Sequence, residues 1–226
     1  MALVAGGWSM GYRYPKLEYL RKWPVDVPEG RLIYDDGEKP EAFYRVESGC
    51  IRLLRHDQDG RRQILAFCLP GDVFGLDFCA ARPMSAEAAA ASKLSRFPIH
   101  QDMRGGPQSD CSALLAESSR LAGRLMESLV GFGKASTEDR VIWFLNRMAE
   151  RQNAPEGRAR VVHLPMSRCD IADYLGMAPE TLSRTMAKLV ASGRIVQRGR
   201  TLLLGGPCQR SRTPVGRLTE SCLAAL

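Results

Sequence analysis

Between residues 30 and 100 the chain is a succession of short apolar runs broken by turn residues. RLIYDDGEKP (31–40), AFYRVESGCIRLLRH (42–56), QILAFCLPGDVFG (63–75) and KLSRFPI (93–99) carry β-branched and aromatic side chains, with Asp-Gly, Ser-Gly and Pro-Gly as punctuation. Such side chains suit a pleated, half-buried surface, and the punctuation bounds the strands. The spacing predicts a small antiparallel β barrel or roll, with HDQDG (56–60) as a hairpin tip. The period changes after GGP (105–107). From Ser109 to Phe132 the positions Leu114, Ser118, Leu121, Leu125, Ser128 and Phe132 alternate at intervals of four and three, which predicts a long helix with a narrow seam. Ser109 or Asp110 can cap it, and Gly131 and Gly133 lie near its end. The seam is too slender to bury only against a small barrel. Leu114, Ser118, Leu121, Leu125 and Phe132 are therefore assigned to contact with a second copy of the chain, with packing inside the chain as the alternative.

A second helix is expected from Thr137 to Met148, where Val141, Ile142, Phe144, Leu145 and Met148 are apolar. RQNAPEGRAR (151–160) is a polar connector. In PMSRCDIADYLGM, Ser167 can cap a helix whose third position is Asp170, a variant of the capping box, and Ile171, Ala172 and Leu175 form its apolar face. Gly176 ends it, the turn is short, and Pro179 has the fixed φ favoured at the first position of a further helix. After Gly193, IVQRGRTLLL predicts two short strands joined at Arg198-Gly199-Arg200, a basic-tipped wing.

Charge changes the picture once it is divided along the chain. Residues 1–150 hold 20 Lys+Arg against 20 Asp+Glu, and residues 151–226 hold 12 against 5, so the whole net charge of +7 lies in the last third. A neutral segment joined to a basic one points to a polyanionic partner for the C-terminal part. No window approaches the roughly 18 uninterrupted apolar residues of a membrane span. The first residues lack the basic start and apolar block of a secretory signal, and the expectation is a cytoplasmic protein with no membrane partner. Seven cysteines, at 50, 68, 79, 111, 169, 208 and 222, share no spacing suited to a metal, so free and mostly buried thiols are expected. No activated nucleophile, carboxylate pair or phosphate loop is legible, which argues against an enzyme.

The candidate chemistry lies in PETLSR (179–184). Leu182, Met186 and Leu189 repeat at helical spacing and must face the core, directing Glu180, Ser183, Arg184 and Lys188 outward. In a major groove Arg184 can bond guanine O6 and N7, Glu180 can accept from a cytosine N4, and Ser183 can meet a base. Ser167, Arg168, Thr181, Lys188, Arg198 and Arg200 are candidates for phosphates. The plain alternative is a solvated face with a Glu180–Arg184 pair worth a few tenths of a kcal/mol. Cys169, beside Arg168 in the first turn of its helix, is a candidate redox switch, because dipole and cation both favour thiolate there while Asp170 opposes them.

GEKPEAFYRVESGCIRLLR, the LPGDVFG turn and MSRCDIADYLGMAPETLSRTMAKLVASGRI together resemble the CRP/FNR regulators, over nearly the whole chain. The resemblance implies an α+β fold: a β-roll sensor-like domain over 1–108, built as a cyclic-nucleotide-binding-like jelly roll, a dimerisation helix over 109–135, and a winged helix-turn-helix over 136–226. It implies a homodimer on double-stranded DNA that activates transcription by touching RNA polymerase. Glu-x-x-Ser-Arg is similar to the FNR and FixK branches, which read TTGAT-type half-sites in an inverted repeat. By position Arg184 would then bond guanine, Glu180 the paired cytosine, and Ser183 a thymine. The cyclic-AMP receptor branch has Arg at the position of Pro179 and Gly at that of Ser183.

The roll departs from the ligand-binding members. Leu76 stands where cyclic-AMP binders carry Glu, and Met84-Ser85 where they carry an Arg-Ser/Thr pair. A cyclic phosphate buried without that cation would be uncompensated. The first 49 residues hold no cysteine for an iron-sulfur cluster. His56, His100 and His163 are taken as surface or packing residues rather than haem ligands. No cofactor or small-molecule effector is expected, and the alternative is a roll that binds a cyclic nucleotide or other small ligand and switches DNA binding.

Overall fold

The structure, a computed structural model, describes residues 22–57, 59–77, 80–99, 108–133, 136–152 and 160–205, without the side chains of residues 108–113 and 132. Six antiparallel strands build the N-terminal half: β1 (Trp23–Val27), β2 (Leu32–Tyr34), β3 (Ala42–His56), β4 (Arg62–Cys68), β5 (Val73–Phe74) and β6 (Ser85–Pro98). The two long strands form the spine. β6 pairs with β1, β2 and β3, and β3 also takes β4 and β5, which closes the sheet into a roll. Tyr34, Tyr44 and Phe74 fill its interior with ring centroids 5.4 to 6.2 Å apart, among Ile51, Leu53, Ala66, Cys68 and Leu94.

The alanine-rich stretch from 86 to 92 is the first half of β6, whereas apolar pattern alone predicts a strand only from Lys93. Alanine favours helix intrinsically, and tertiary pairing overrides that preference here. Ala86, Ala88 and Ala90 stand opposite Leu53, Ile51 and Cys50 of β3, and Ala86, Ala88 and Ala89 are buried. Small side chains are required because the strands approach closely where β3 is bulged. At Gly49, with φ +90°, a Cβ would lie 2.2 Å from Ser92 Oγ and 2.5 Å from the Ala91 carbonyl oxygen.

Helix α1 (Gln108–Phe132) crosses the open side of the roll. Leu114 packs with Phe43, Val73, Leu76 and Phe97, while Leu121 and Leu125 pack on the roll interior. Of the stripe assigned from spacing to a partner chain, Leu114 is thus buried against the chain's own roll, and Leu121 and Leu125 are half-buried against it. Ser118 Oγ is buried, and the Phe132 side chain lies outside the described residues. The neighbouring stripe carries the exposed apolar groups: Leu115, Met126 and Leu129 are each 68% exposed and Val130 60%. Leu115, Ser119, Ala122, Met126 and Leu129 repeat the same four-and-three intervals one position later.

Helix α2 (Thr137–Arg151) is capped by Ser136, whose Oγ accepts from the Asp139 amide at 3.0 Å. It turns back closely against α1, because a Cβ on Gly131 would sit 2.4 Å from the Trp143 ring. After it come β7 (Arg160–His163), α3 (Arg168–Tyr174), α4 (Pro179–Ala191), β8 (Ile195–Arg198) and β9 (Thr201–Leu204), with the strands ordered β7-β9-β8. β7 is unforeseen from sequence, since its apolar pair Val161-Val162 directly follows a polar connector. One core joins both halves of the molecule. Phe67 of β4 lies 5.3 Å from Tyr174 of α3 and 6.3 Å from Phe144 of α2, centroid to centroid, among Leu54, Ile64, Leu145, Leu175, Leu182 and Leu189.

Gly49→Ala is expected to destabilise the fold by roughly 2 kcal/mol or more, since a strained φ and a backbone clash add. Thermal or urea unfolding measures it, and a loss below half of that would mean that β3 relaxes away from β6.

Candidate nucleic-acid interface

Local sequence builds the helix-turn-helix. Ser167 Oγ accepts from the Asp170 amide at 3.0 Å while Asp170 Oδ2 accepts from the Ser167 amide at 3.4 Å, a reciprocal cap that opens α3. Gly176 adopts φ +62° just after α3, and Pro179 begins α4. Leu182, Met186 and Leu189 are buried, which fixes the rotation of α4 about its axis. Glu180, Ser183, Arg184 and Lys188 consequently stand exposed on one face.

Glu180 and Arg184 make no ion pair with each other or with any other described residue. A solvated face held by an i, i+4 pair would show that bond. Here acceptor, hydroxyl and guanidinium all retain their hydrogen-bonding capacity on one exposed face. Thr181 is half-buried, and its carbonyl accepts from Thr185 Oγ1 at 2.8 Å.

The six candidate phosphate contacts are less uniform. Lys188 Nζ lies 3.1 Å from Glu138 Oε2 on α2, yet the lysine remains 76% exposed, so the pair is weak and exchangeable. Arg198 and Arg200 flank Gly199, at φ +58°, on the exposed tip between β8 and β9. Arg200 donates to the Pro165 carbonyl at 2.8 Å, which ties the wing to the segment before α3. Arg168 is half-buried with Nη1 lacking a partner among the described residues, and burial lowers its guanidinium below the ordinary arginine range. A phosphate oxygen would satisfy that group. Ser167 is committed to its cap as acceptor but still holds a hydroxyl proton to donate.

Among the thiols, burial pushes Cys68 up to about 12 and Cys50 further still, whereas Cys169 is exposed in the first turn of α3. The roll contains one residue that spacing overlooked. Matching by position leaves no cation near Met84, but Arg82 is there, 3% exposed. It donates to the Gly75 carbonyl and to Asp77 Oδ2, both at 2.8 Å, and to the Ala42 carbonyl, with its guanidinium 3.9 Å from the Tyr34 ring centroid. Only a two-residue allowance in the loop would have found it. Leu76 is buried, Met84 packs on the roll interior, and Ser85 Oγ donates to Asp35 Oδ1.

A roll, a long helix and a winged helix-turn-helix with an unpaired outward face define a DNA-binding regulator of the sensor-and-reader type. Residues 24–102 match the cyclic nucleotide-binding domain and residues 139–204 the Crp-like helix-turn-helix domain. The chain is 36% identical over 178 residues to the nitrogen fixation regulation protein FixK of Bradyrhizobium diazoefficiens, covering 76% of this chain and 73% of that protein. It is 32% identical over 171 residues to the transcriptional activatory protein AadR of Rhodopseudomonas palustris, covering 73% and 70% respectively. The solved structure of FixK2 from Bradyrhizobium japonicum superposes with a TM-score of 0.74 at 31% identity, covering 85% of this chain and 94% of that one. The chain belongs to the CRP/FNR superfamily of transcription regulators, in its FixK-like branch.

Proposed function

We propose that this regulator is a cytoplasmic homodimer that activates transcription from a TTGAT-type inverted repeat and needs neither cyclic AMP nor an iron-sulfur cluster. The observation that carries this reading is the outward, unpaired set Glu180, Ser183 and Arg184 on a helix opened by Pro179. Arg184 bonds the guanine, Glu180 the cytosine paired with it, and Ser183 a thymine. Ser167, Arg168, Thr181, Lys188, Arg198 and Arg200 meet phosphates. AadR, named as an activatory protein, supports activation, for which contact with RNA polymerase is the expected route.

The dimer forms along the exposed stripe of α1. Leu115, Met126 and Leu129, left in water, would be an apolar surface that monomers rarely carry on one helix face. A second copy presents the same stripe and covers it isologously. Two reading helices related by that axis would enter major grooves about one helical turn, roughly 34 Å, apart.

A second reading has its own support. Arg82 is a buried cation at the mouth of a roll that matches cyclic-nucleotide-binding domains, so a small anionic effector could draw it from Asp77. Calorimetry with cyclic nucleotides decides: binding that alters DNA affinity favours the effector, and no heat favours a roll without one.

Arg184→Ala should cost about 1 to 3 kcal/mol of binding and relax selection at one guanine, whereas Arg198→Ala should weaken all sequences alike and reduce the salt slope by about 1. Selection from a random duplex pool followed by titration at several salt concentrations separates them, and unaltered base preference in Arg184→Ala would remove the reading-helix assignment. Leu129→Glu should convert the dimer to monomer in analytical ultracentrifugation, and an intact dimer would place the interface elsewhere. Peroxide should weaken DNA binding by wild type and spare Cys169→Ser; equal losses in both would end the sensor role of this thiol.

A further inference from the structure

The contact between the roll and the helix-turn-helix is ionic as well as apolar. Arg52, on β3, donates from Nη1 to both carboxylate oxygens of Asp170 at 3.0 Å, and from Nε and Nη2 to Glu87 of β6 at 2.9 and 2.7 Å. Arg62, the first residue of β4, donates to Asp170 Oδ1 at 2.9 Å and through Nε to Asp173 Oδ2 at 3.0 Å. Gln63 Nε2 adds a bond of 3.2 Å to the Asp173 carbonyl. The Asp170 side chain is 2% exposed and that of Arg52 14%.

Asp170 and Asp173 both lie on α3, the helix against which α4 packs. A carboxylate removed this far from water is tolerated only while its cations are in place. The surrounding contact of Phe67, Phe144 and Tyr174 holds the halves together but says little about their rotation, whereas a bonded network has few satisfactory arrangements. In this seating the reading face of α4 is exposed, and no described residue of the chain covers it. Asp72, in the turn before β5, accepts from Arg124 of α1 at 2.8 Å and from Arg151 of α2. Roll, dimer helix and reader are thereby tied to one another.

We propose that Arg52 and Arg62 are positioning residues for DNA reading. Acting through Asp170 and Asp173, they hold α3, and α4 with it, at a set orientation to the roll and α1. The two reading helices of the dimer then stand at half-site spacing with no ligand in the roll. This inference rests on the DNA-reading surface and the α1 dimer proposed above. The partner recognised is a duplex whose two half-sites have one permitted spacing, and the clamp determines that spacing rather than the bases.

The test uses the full chain and labelled duplexes carrying the inverted repeat that wild type selects, with the native spacer or with the spacer changed by one or two base pairs. Arg52→Gln/Arg62→Gln touches no residue of the reading face. If the competent seating falls to about a tenth of the population, affinity for the native spacer drops roughly tenfold. Preference between spacers should shrink as well, while selection at the Arg184 guanine persists. A merely structural loss would lower affinity for every duplex by one factor and leave the spacer ratio unchanged, which overturns the proposal. Asp170→Asn, which keeps the size and capping ability of the side chain but not its charge, and Asp173→Asn should show the same spacer effect in smaller measure, and they serve if the double variant does not fold. Restored spacer preference in Arg62→Lys would identify charge rather than the guanidinium fork as the requirement. Wild type that selects no sequence overturns the DNA-reading surface itself, whereas a selective wild type with an unchanged double variant overturns the clamp alone.

Discussion

One carboxylate, Asp170, held at 2% exposure between two guanidinium groups, decides how the DNA-binding half sits on the roll. Its oxygens accept from Arg52 and Arg62 of the roll and from the Ser167 amide of its own helix. Stability is a poor account of such a network, because the desolvation of the ions offsets much of their attraction. Orientation is the better account. The apolar contact of Phe67, Phe144 and Tyr174 supplies adhesion, and the ions select one rotation within it. The same residue caps α3, so the first helix of the reader forms and is seated by one side chain.

Helix α1 obeys a related economy. Its inward stripe, Leu114, Leu121 and Leu125, closes the roll, and the adjacent stripe of Leu115, Met126 and Leu129 remains in water. Among the described residues only the inward stripe of this helix has an apolar partner. Asp72 and Arg124 fix the helix against the roll, and Gly131 lets Trp143 of α2 cross its end closely. The roll, α1, α2 and the helix-turn-helix are thus joined by packed side chains.

The helix-turn-helix and its wing were legible in sequence because their determinants are local. A cap and its reciprocal partner lie three residues apart, Pro179 marks a helix start, Leu182, Met186 and Leu189 mark a buried face, and Arg198-Gly199-Arg200 marks a turn. The roll was legible as a class for the same reason, through short apolar runs between turn residues. The failures share an opposite cause. The alanines of β6 carry no strand preference and were hidden until paired with β3. Which stripe of α1 turns toward the roll was not legible, because two neighbouring stripes have the same spacing and the choice between them is a matter of rotation. Arg82 is two residues from the place where a positional match seeks a cation. Arg52 and Asp170 are 118 residues apart, and nothing near either of them announces the other.

By itself, then, the sequence determined the parts: a β-roll, a long helix, a capped helix-turn-helix with Glu180, Ser183 and Arg184 on one face, and a basic wing, since each follows from propensities and periods within a few turns of chain. The tertiary structure alone decided how the parts are mounted. It turned one stripe of α1 inward and its neighbour outward, placed Arg82 in the mouth of the roll, and locked the reader through Asp170. These outcomes depend on burial and on charges brought together across long loops, where the desolvation of a carboxylate or the closeness of two strands selects among arrangements that local pattern leaves equal.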